Sequence, residues 1–233
     1  MTQNQEIKMQ LLHEFGISDE PKTIGFCREA YKFLTEDESQ GIPKAPINFV
    51  EPKRGQCEND GVYLVYEDNS YAFFTKEADT KKVKYIGIIH YGHPFCVALK
   101  DAGRFSLIKK GVECEEESEF YVESETEALH DWECVERTKR IQELGTDIPL
   151  NEGEYIPALP MVVAMRYWKN RGLDEALIAV GGEPLQNDSS YWSVTEYSAY
   201  GAWYVNFGSG YVYYSNLKYN TYNVVRPVAA FNL

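Results

Sequence analysis

The run Ala202-Trp203-Tyr204-Val205-Asn206-Phe207-Gly208-Ser209-Gly210-Tyr211-Val212-Tyr213-Tyr214-Ser215 alternates on both sides of a small-residue turn. Side chains along a strand point to opposite faces with a period of two. Trp203, Val205 and Phe207 therefore share one face, and Tyr204 and Asn206 the other. Gly208-Ser209-Gly210 supplies the turn. On the return strand Val212 points one way, and Tyr211 and Tyr213 the other. The expected core set is Trp203, Val205, Phe207 and Val212, with Tyr204, Tyr211 and Tyr213 outward. The flanking segments 197–201 and 214–222 are rich in Ser, Asn, Gly and Thr and are expected to be loops.

Outward from this run, the composition divides. The chain has 233 residues, with 36 Asp+Glu against 23 Lys+Arg and a net charge of −13. From Tyr191 onward only Glu196, Lys218 and Arg226 are charged, so that end carries +1. Residues 1–190 carry 35 acids against 21 bases, or −14. Of 18 tyrosines, 9 lie between Tyr191 and Tyr222. The acidic balance argues against nucleic acid as a partner, because neutralising phosphates takes a basic face. No run approaches the ~18 apolar residues of a membrane span, so no membrane insertion is expected. The opening residues 1–10 lack the apolar stretch of a secretory signal, which points to a chain that is cytoplasmic as synthesised, or displayed on a phage particle. Five cysteines, odd in number and irregular in spacing, suit a reducing compartment.

Residues 1–59 read as a helical N-terminal segment. Ile7, Leu11, Leu12 and Phe15 fall at helical spacing before Gly16, and Ile24, Cys27, Tyr31 and Leu34 mark a second helix over 21–35. Residues 36–56, rich in Pro, Gly and charge, form a connector. A domain over 60–233 follows. Its expected strands are 61–66 and 71–74, then 84–90 and 95–99 around Gly92-His93-Pro94. Expected helices span 126–144, 158–170 and 173–180, and residues 113–119 make a solvated acidic loop or helix start. Four terminal strands are expected over 191–195, 202–207, 211–215 and 224–231. The class is α+β, with helices before a terminal antiparallel sheet.

The tail has the composition of a paratope. Tyrosine offers a large amphipathic contact with few torsions to freeze, while Ser, Gly and Asn adapt their hydrogen bonding. Tyrosine is also a good strand residue, which accounts for Tyr204 or Tyr213. Strand preference does not account for Tyr197, Tyr200, Tyr214, Tyr219 and Tyr222 in expected loops.

Tyr191-Trp192-Ser193-Val194-Thr195-Glu196, Ala202-Trp203-Tyr204-Val205-Asn206-Phe207, Gly210, Lys218 and Val225-Arg226-Pro227-Val228 resemble the ending of bacterial and phage proteins with the C-type lectin fold. The resemblance is to variable proteins of diversity-generating retroelements, the family of the phage major tropism determinant. In that family an error-prone reverse transcriptase rewrites template adenines into the gene's 3′ end. The resemblance implies a C-type lectin-like domain, of the formylglycine-generating-enzyme-like variant, with a variable ligand-binding region at about 191–231. It implies scaffold roles for Trp192, Trp203, Val205, Phe207, Val212, Arg226 and Pro227. It implies replaceable, ligand-binding roles for Tyr197, Ser198, Ala199, Tyr200, Gly201, Tyr204, Ser209, Tyr211, Tyr213, Tyr214, Ser215, Leu217, Tyr219, Thr221 and Tyr222. Upstream, residues 60–72, 86–89 and 97–102 look like the opening strands of such domains. The segment Glu154-Tyr155-Ile156-Pro157-Ala158-Leu159-Pro160-Met161-Val162 departs from the family by lacking a Gly-Glu pair after the proline.

Candidate chemistry is sparse. His90-x-x-His93-x-x-Cys96 has metal-like spacing without a fourth ligand, so a structural role is expected. Cys27, Cys57, Cys114 and Cys134 read as inert thiols. Glu113, Glu115, Glu116, Glu117 and Glu119 lack the Asp-x-Asp-x-Asp-Gly pattern of a calcium loop. Gly182-Glu183-Pro184-Leu185 and Asn187-Asp188 only loosely echo the sugar-binding loop of calcium-dependent lectins. No metal or cofactor is expected. Formylglycine-generating enzymes share the fold and use cysteines in their C-terminal half. Here the last cysteine is Cys134 and the last histidine His130, so the usual nucleophile and base are missing there.

The expectation is therefore a non-enzymatic protein that recognises a macromolecular ligand, a protein or a cell-surface glycan, with a surface diversified by the retroelement. Residues 1–59 would dock it to a carrier or virion protein. The alternatives are a fixed adhesin or structural subunit of the same fold without diversification, and a relative of the formylglycine-generating enzymes.

Overall fold

The computed structural model describes residues 59–232; the helices and connector expected before Asn59 lie outside them. The run Gly61-Val62-Tyr63-Leu64-Val65-Tyr66 has no charged residue to leave in water, and it forms β1 (Gly61–Tyr66), buried along its whole length. Strand β1 pairs antiparallel with β2 (Tyr71–Phe73) and with β3 (Val83–His90), and β3 pairs with β4 (His93–Val97). The β3–β4 turn is Tyr91-Gly92, not the expected Gly92-His93-Pro94. Both residues have positive φ, 49° and 76°, as a two-residue hairpin turn requires. Asp60 holds the turn by accepting the Tyr91 and Gly92 N–H groups at 2.6 and 2.9 Å.

The chain continues through β5 (Gly103–Phe105), α1 (Glu125–Ala128), α2 (Val135–Leu144), β6 (Glu154–Tyr155), α3 (Leu159–Trp168) and α4 (Asp174–Ala179). It ends in β7 (Ser190–Glu196), β8 (Gly201–Asn206), β9 (Val212–Leu217), β10 (Asn223–Val225) and β11 (Val228–Ala229). The class is α+β, built on a six-stranded sheet in the order β2-β1-β3-β4-β11-β6 and a five-stranded sheet in the order β5-β10-β7-β8-β9.

Four further expectations are corrected. The single helix over 126–144 is broken into α1 and α2. Asp131 Oδ1 accepts the Glu133 N–H, and Glu133 Oε1 accepts the N–H groups of Val135 and Glu136, so side chains restart the helix. Trp132, in the break, stacks on His93 with centroids 4.2 Å apart. The terminal strand over 224–231 is two strands in different sheets: β10 pairs with β7 and β5, and β11 with β4 and β6. The β10–β7 pairing is parallel, so the terminal sheet is not purely antiparallel. Finally, β9 extends to Leu217, into a stretch expected to be loop.

Arg226-Pro227 is the crossing point between the sheets. Arg226 is fully buried and bonds Asp101 Oδ1 at 2.6 Å and the carbonyls of Ala98 and Glu183 at 3.0 Å. The main core joins one face of the six-stranded sheet to the five-stranded sheet and to α2, α3 and α4. A second cluster covers the other face of the six-stranded sheet, where Phe231 meets Tyr63 and Tyr71 at 5.9 and 5.3 Å.

Candidate functional site

Alternation places Trp203, Val205 and Phe207 in the core, and they are 2%, 1% and 5% exposed. Trp203 is the fixed point of the tail. Its indole N–H donates to the Val122 carbonyl at 2.7 Å, and its own carbonyl accepts from Ser193 Oγ at 2.8 Å. The ladders on both sides of β8 lose regular register at this residue. The irregular part of β7 is tied to the start of α3, because Val194 N–H donates to the Pro157 carbonyl and Leu159 N–H to Thr195 Oγ1. Local irregularity is thus held by tertiary hydrogen bonds rather than left loose.

All three charges of the tail point inward. Glu196 and Lys218 are fully buried and paired at 2.5 Å, and Glu196 Oε2 accepts Arg140 Nε at 2.9 Å. Lys218 and Arg140 also lie over the Tyr121 ring, at 5.3 and 5.9 Å. Burial, followed by the Glu196 charge, raises the pKa of Tyr121. Arg226 pairs with Asp101 as described. The tail therefore contributes no charged side chain to the exterior.

What it does contribute is tyrosine at the sheet edge. Tyr200, Tyr211, Tyr213, Tyr214, Leu217 and Tyr222 are exposed, and so is Ser215. The exposed rings rest on buried or half-buried ones in two stacks. Tyr214 lies flat on Tyr197 at 4.2 Å and meets Trp203 edge-on at 5.3 Å. Tyr213 stacks on Tyr204 at 5.5 Å, which meets Trp192 edge-on at 5.8 Å. Consecutive residues of β9 thus feed separate aromatic stacks, so the edge strand carries rings on both shoulders.

The hydroxyls distinguish scaffold from surface. Those of Tyr63, Tyr66, Tyr85, Tyr121 and Tyr191 donate to protein oxygens. Those of Tyr197, Tyr200, Tyr211, Tyr213, Tyr214, Tyr219 and Tyr222 take no hydrogen bond among the described residues. Tyr191, fully buried, has its pKa raised by burial and by Asp101.

The expected ligand-binding positions are not all alike. Tyr204 is 8% exposed and belongs to the core, which corrects its outward assignment: its face is covered by Tyr213 of β9. Its hydroxyl still reaches Ser215 Oγ at 3.5 Å. Ala199 and Gly201 are buried as well. A Cβ on Gly201 would come within 2.8 Å of the Tyr214 carbonyl, so this position admits no larger residue without moving β9. Tyr197, Ser198, Tyr219 and Thr221 are half-buried, and Ser209 is exposed in the turn. Of the scaffold positions, Trp192, Arg226 and Pro227 are buried, and Val212 is half-buried at the edge.

The remaining motifs do not converge. His90 pairs directly with His93 across the hairpin, but Cys96 pairs with Gly87 and belongs to the cluster on the opposite face of the sheet. No group of three or more His, Cys, Asp or Glu able to hold a metal stands together among the described residues. Burial pushes the Cys96 and Cys134 thiols up to about 12. A groove of about 750 Å³ beside β4, β11 and β6 is lined by Lys84, Tyr85, Lys100, Asp101, Asn151 and Glu154. Two of its carboxylates are engaged, Glu154 by Asn151 and Tyr85, and Asp101 by Arg226. No helix among the described residues is long and apolar enough to cross a membrane.

No family model and no curated protein matches this chain. Among solved structures it is similar to a fimbrial protein from Bacteroides ovatus ATCC 8483, with 16% identity and a TM-score of 0.48, over 74% of this chain and 49% of that one. The chain spans about half the length of that protein. A likeness at this level carries no functional statement across.

Proposed function

We propose that this protein is a non-enzymatic binding protein of C-type lectin-like fold, and that the tyrosine-rich edge formed by β9 and its flanking loops recognises a macromolecular ligand. One observation carries the reading: a set of stacked, partly exposed tyrosines whose hydroxyls are unspent among the described residues, on a tail whose every charge is turned inward. Rings held by stacking lose little freedom when a partner covers them, and free hydroxyls give that partner hydrogen bonds without breaking internal ones. A standard interface covers about 800 Å² per partner, and central tyrosines commonly supply much of the energy. The resemblance of the tail to retroelement variable proteins adds that the exposed positions are replaceable while Trp192, Trp203, Val205, Phe207, Val212, Arg226 and Pro227 are kept. A fixed adhesin of the same fold is the second reading, favoured where no template repeat adjoins the gene.

The test uses the full chain as bait against a displayed random-peptide library and a glycan array, in parallel with Tyr213→Ala and Tyr214→Ala variants. Binding that both substitutions weaken, and that changes little with added salt, is expected. Hits that ignore both substitutions, or that vanish steeply with salt, contradict the assignment of the surface.

A further inference from the structure

Four strands end the two sheets: β2 and β6 in one, β5 and β9 in the other. Strands β2 and β5 have 3 residues each and β6 has 2, whereas β9 has 6. An open edge offers unpaired N–H and C=O groups to any passing strand, and proteins blunt such edges with shortness, charge, proline or a bulge. Strand β9, Val212-Tyr213-Tyr214-Ser215-Asn216-Leu217, carries neither charge nor proline. Tyr213, Tyr214 and Leu217 are 38%, 48% and 38% exposed. Among the described residues, the main-chain N–H groups of β9 take no hydrogen bond outside the ladder to β8. The long, neutral, uncovered edge thus coincides with the tyrosine surface, while the other three edges are short. Strand β9 does carry a bulge, Tyr214 and Ser215 facing the single residue Trp203, with two register pairs on either side, so an added strand docks on one of these two stretches.

We propose that β9 takes up an extended, uncharged segment of the partner protein as an added strand. The inference rests on the reading of the tail as a recognition surface and specifies how that surface works. Main-chain pairing supplies affinity that does not depend on which side chains β9 carries, and the alternating rings choose among partners. Replacement at Tyr213 or Tyr214 then changes the preferred ligand without dismantling the docking mode. A second copy of the chain is the disfavoured occupant, because each carries −13 and two acidic bodies repel as they approach.

The experiment selects peptides from a displayed random library on the full chain and remakes each binder with N-methyl groups at alternate main-chain positions. An added strand exposes only every second N–H to β9, so one methylated set is expected to lose at least about tenfold in affinity while the other keeps it. The bound peptide also slows amide exchange in β9, and Ser215→Lys removes binding. If both methylated sets bind like the parent while Tyr213→Ala and Tyr214→Ala abolish binding, strand addition is wrong and the recognition surface stands. If no selected peptide responds to the tyrosine variants or to Ser215→Lys, both readings fall. Concentration-dependent dimerisation of the free chain, abolished by Ser215→Lys, overturns the choice of a foreign partner.

Discussion

Strands β7 and β9 lie two positions apart in one sheet and use tyrosine in opposite ways. On β7, Tyr191 is fully buried, its hydroxyl donates to Asp101 and also accepts the Gln186 N–H at 2.8 Å, and its ring tilts onto Phe207. On β9, Tyr213 and Tyr214 are exposed, and their hydroxyls have no partner among the described residues. The same residue type is a structural strut on one strand and a free contact on the other. The hydroxyl's partner, rather than the residue count, separates the two roles. The charges follow the same division, since Glu196 of β7 neutralises Lys218 beneath the edge that β9 exposes.

The largest way to break this division is to attack the buried charges. Glu196→Gln leaves Lys218 and Arg140 without their carboxylate, and about 3–5 kcal/mol of stability should be lost in denaturant unfolding. A loss under about 1 kcal/mol would mean that water reaches the triad and that the tail's charges are not sequestered. Replacing Gly201 by Ala comes next: a Cβ 2.8 Å from the Tyr214 carbonyl must displace β9. A cost of about 1–3 kcal/mol is expected, again by denaturant unfolding.

Hydroxyl deletion sharpens the contrast directly. Tyr191→Phe should cost about 1–3 kcal/mol, because the Gln186 N–H and Asp101 lose their partner. Tyr213→Phe should stay within about 0.5 kcal/mol. Equal effects at the two positions would erase the distinction between strut and contact. The smallest expected effect comes from the other sheet. Burial holds the pKa of His90 below its usual value, against an opposing pull from the Asp60 charge. The folded state then binds fewer protons than the unfolded one as pH falls through about 6.5, so stability drops on acidification through that range. The midpoint difference between neutral and mildly acidic pH should shrink in His90→Gln.

Much of the tail was legible in its alternation. The burial of Trp203, Val205 and Phe207, the turn after Phe207 and the paucity of charge all follow from sequence. Periodicity assigns a side chain to a face but not a cover to that face. Tyr204 is therefore misjudged: Tyr213, from a strand nine residues on, closes over it. A count of three charges likewise does not say that Arg140 and Asp101, distant in sequence, draw them inward. The extension of β9 to Leu217 was hidden because an edge strand buries so little that polar residues suffice. The break between α1 and α2 depends on Asp131 turning the chain at Glu133 and on Glu133 accepting the first N–H groups of a new helix, with Trp132 committed to His93, a partner outside any local window.

The most direct test of a replaceable recognition surface is deep sequencing of the gene's 3′ end, with its neighbourhood, across a natural population. Substitutions should concentrate at Tyr200, Tyr211, Tyr213, Tyr214, Ser215, Leu217 and Tyr222, spare Trp203, Glu196, Gly201, Lys218 and Arg226, and match adenines in an adjoining repeat. Substitutions spread evenly over scaffold and edge, or an edge as constant as the core, would contradict it.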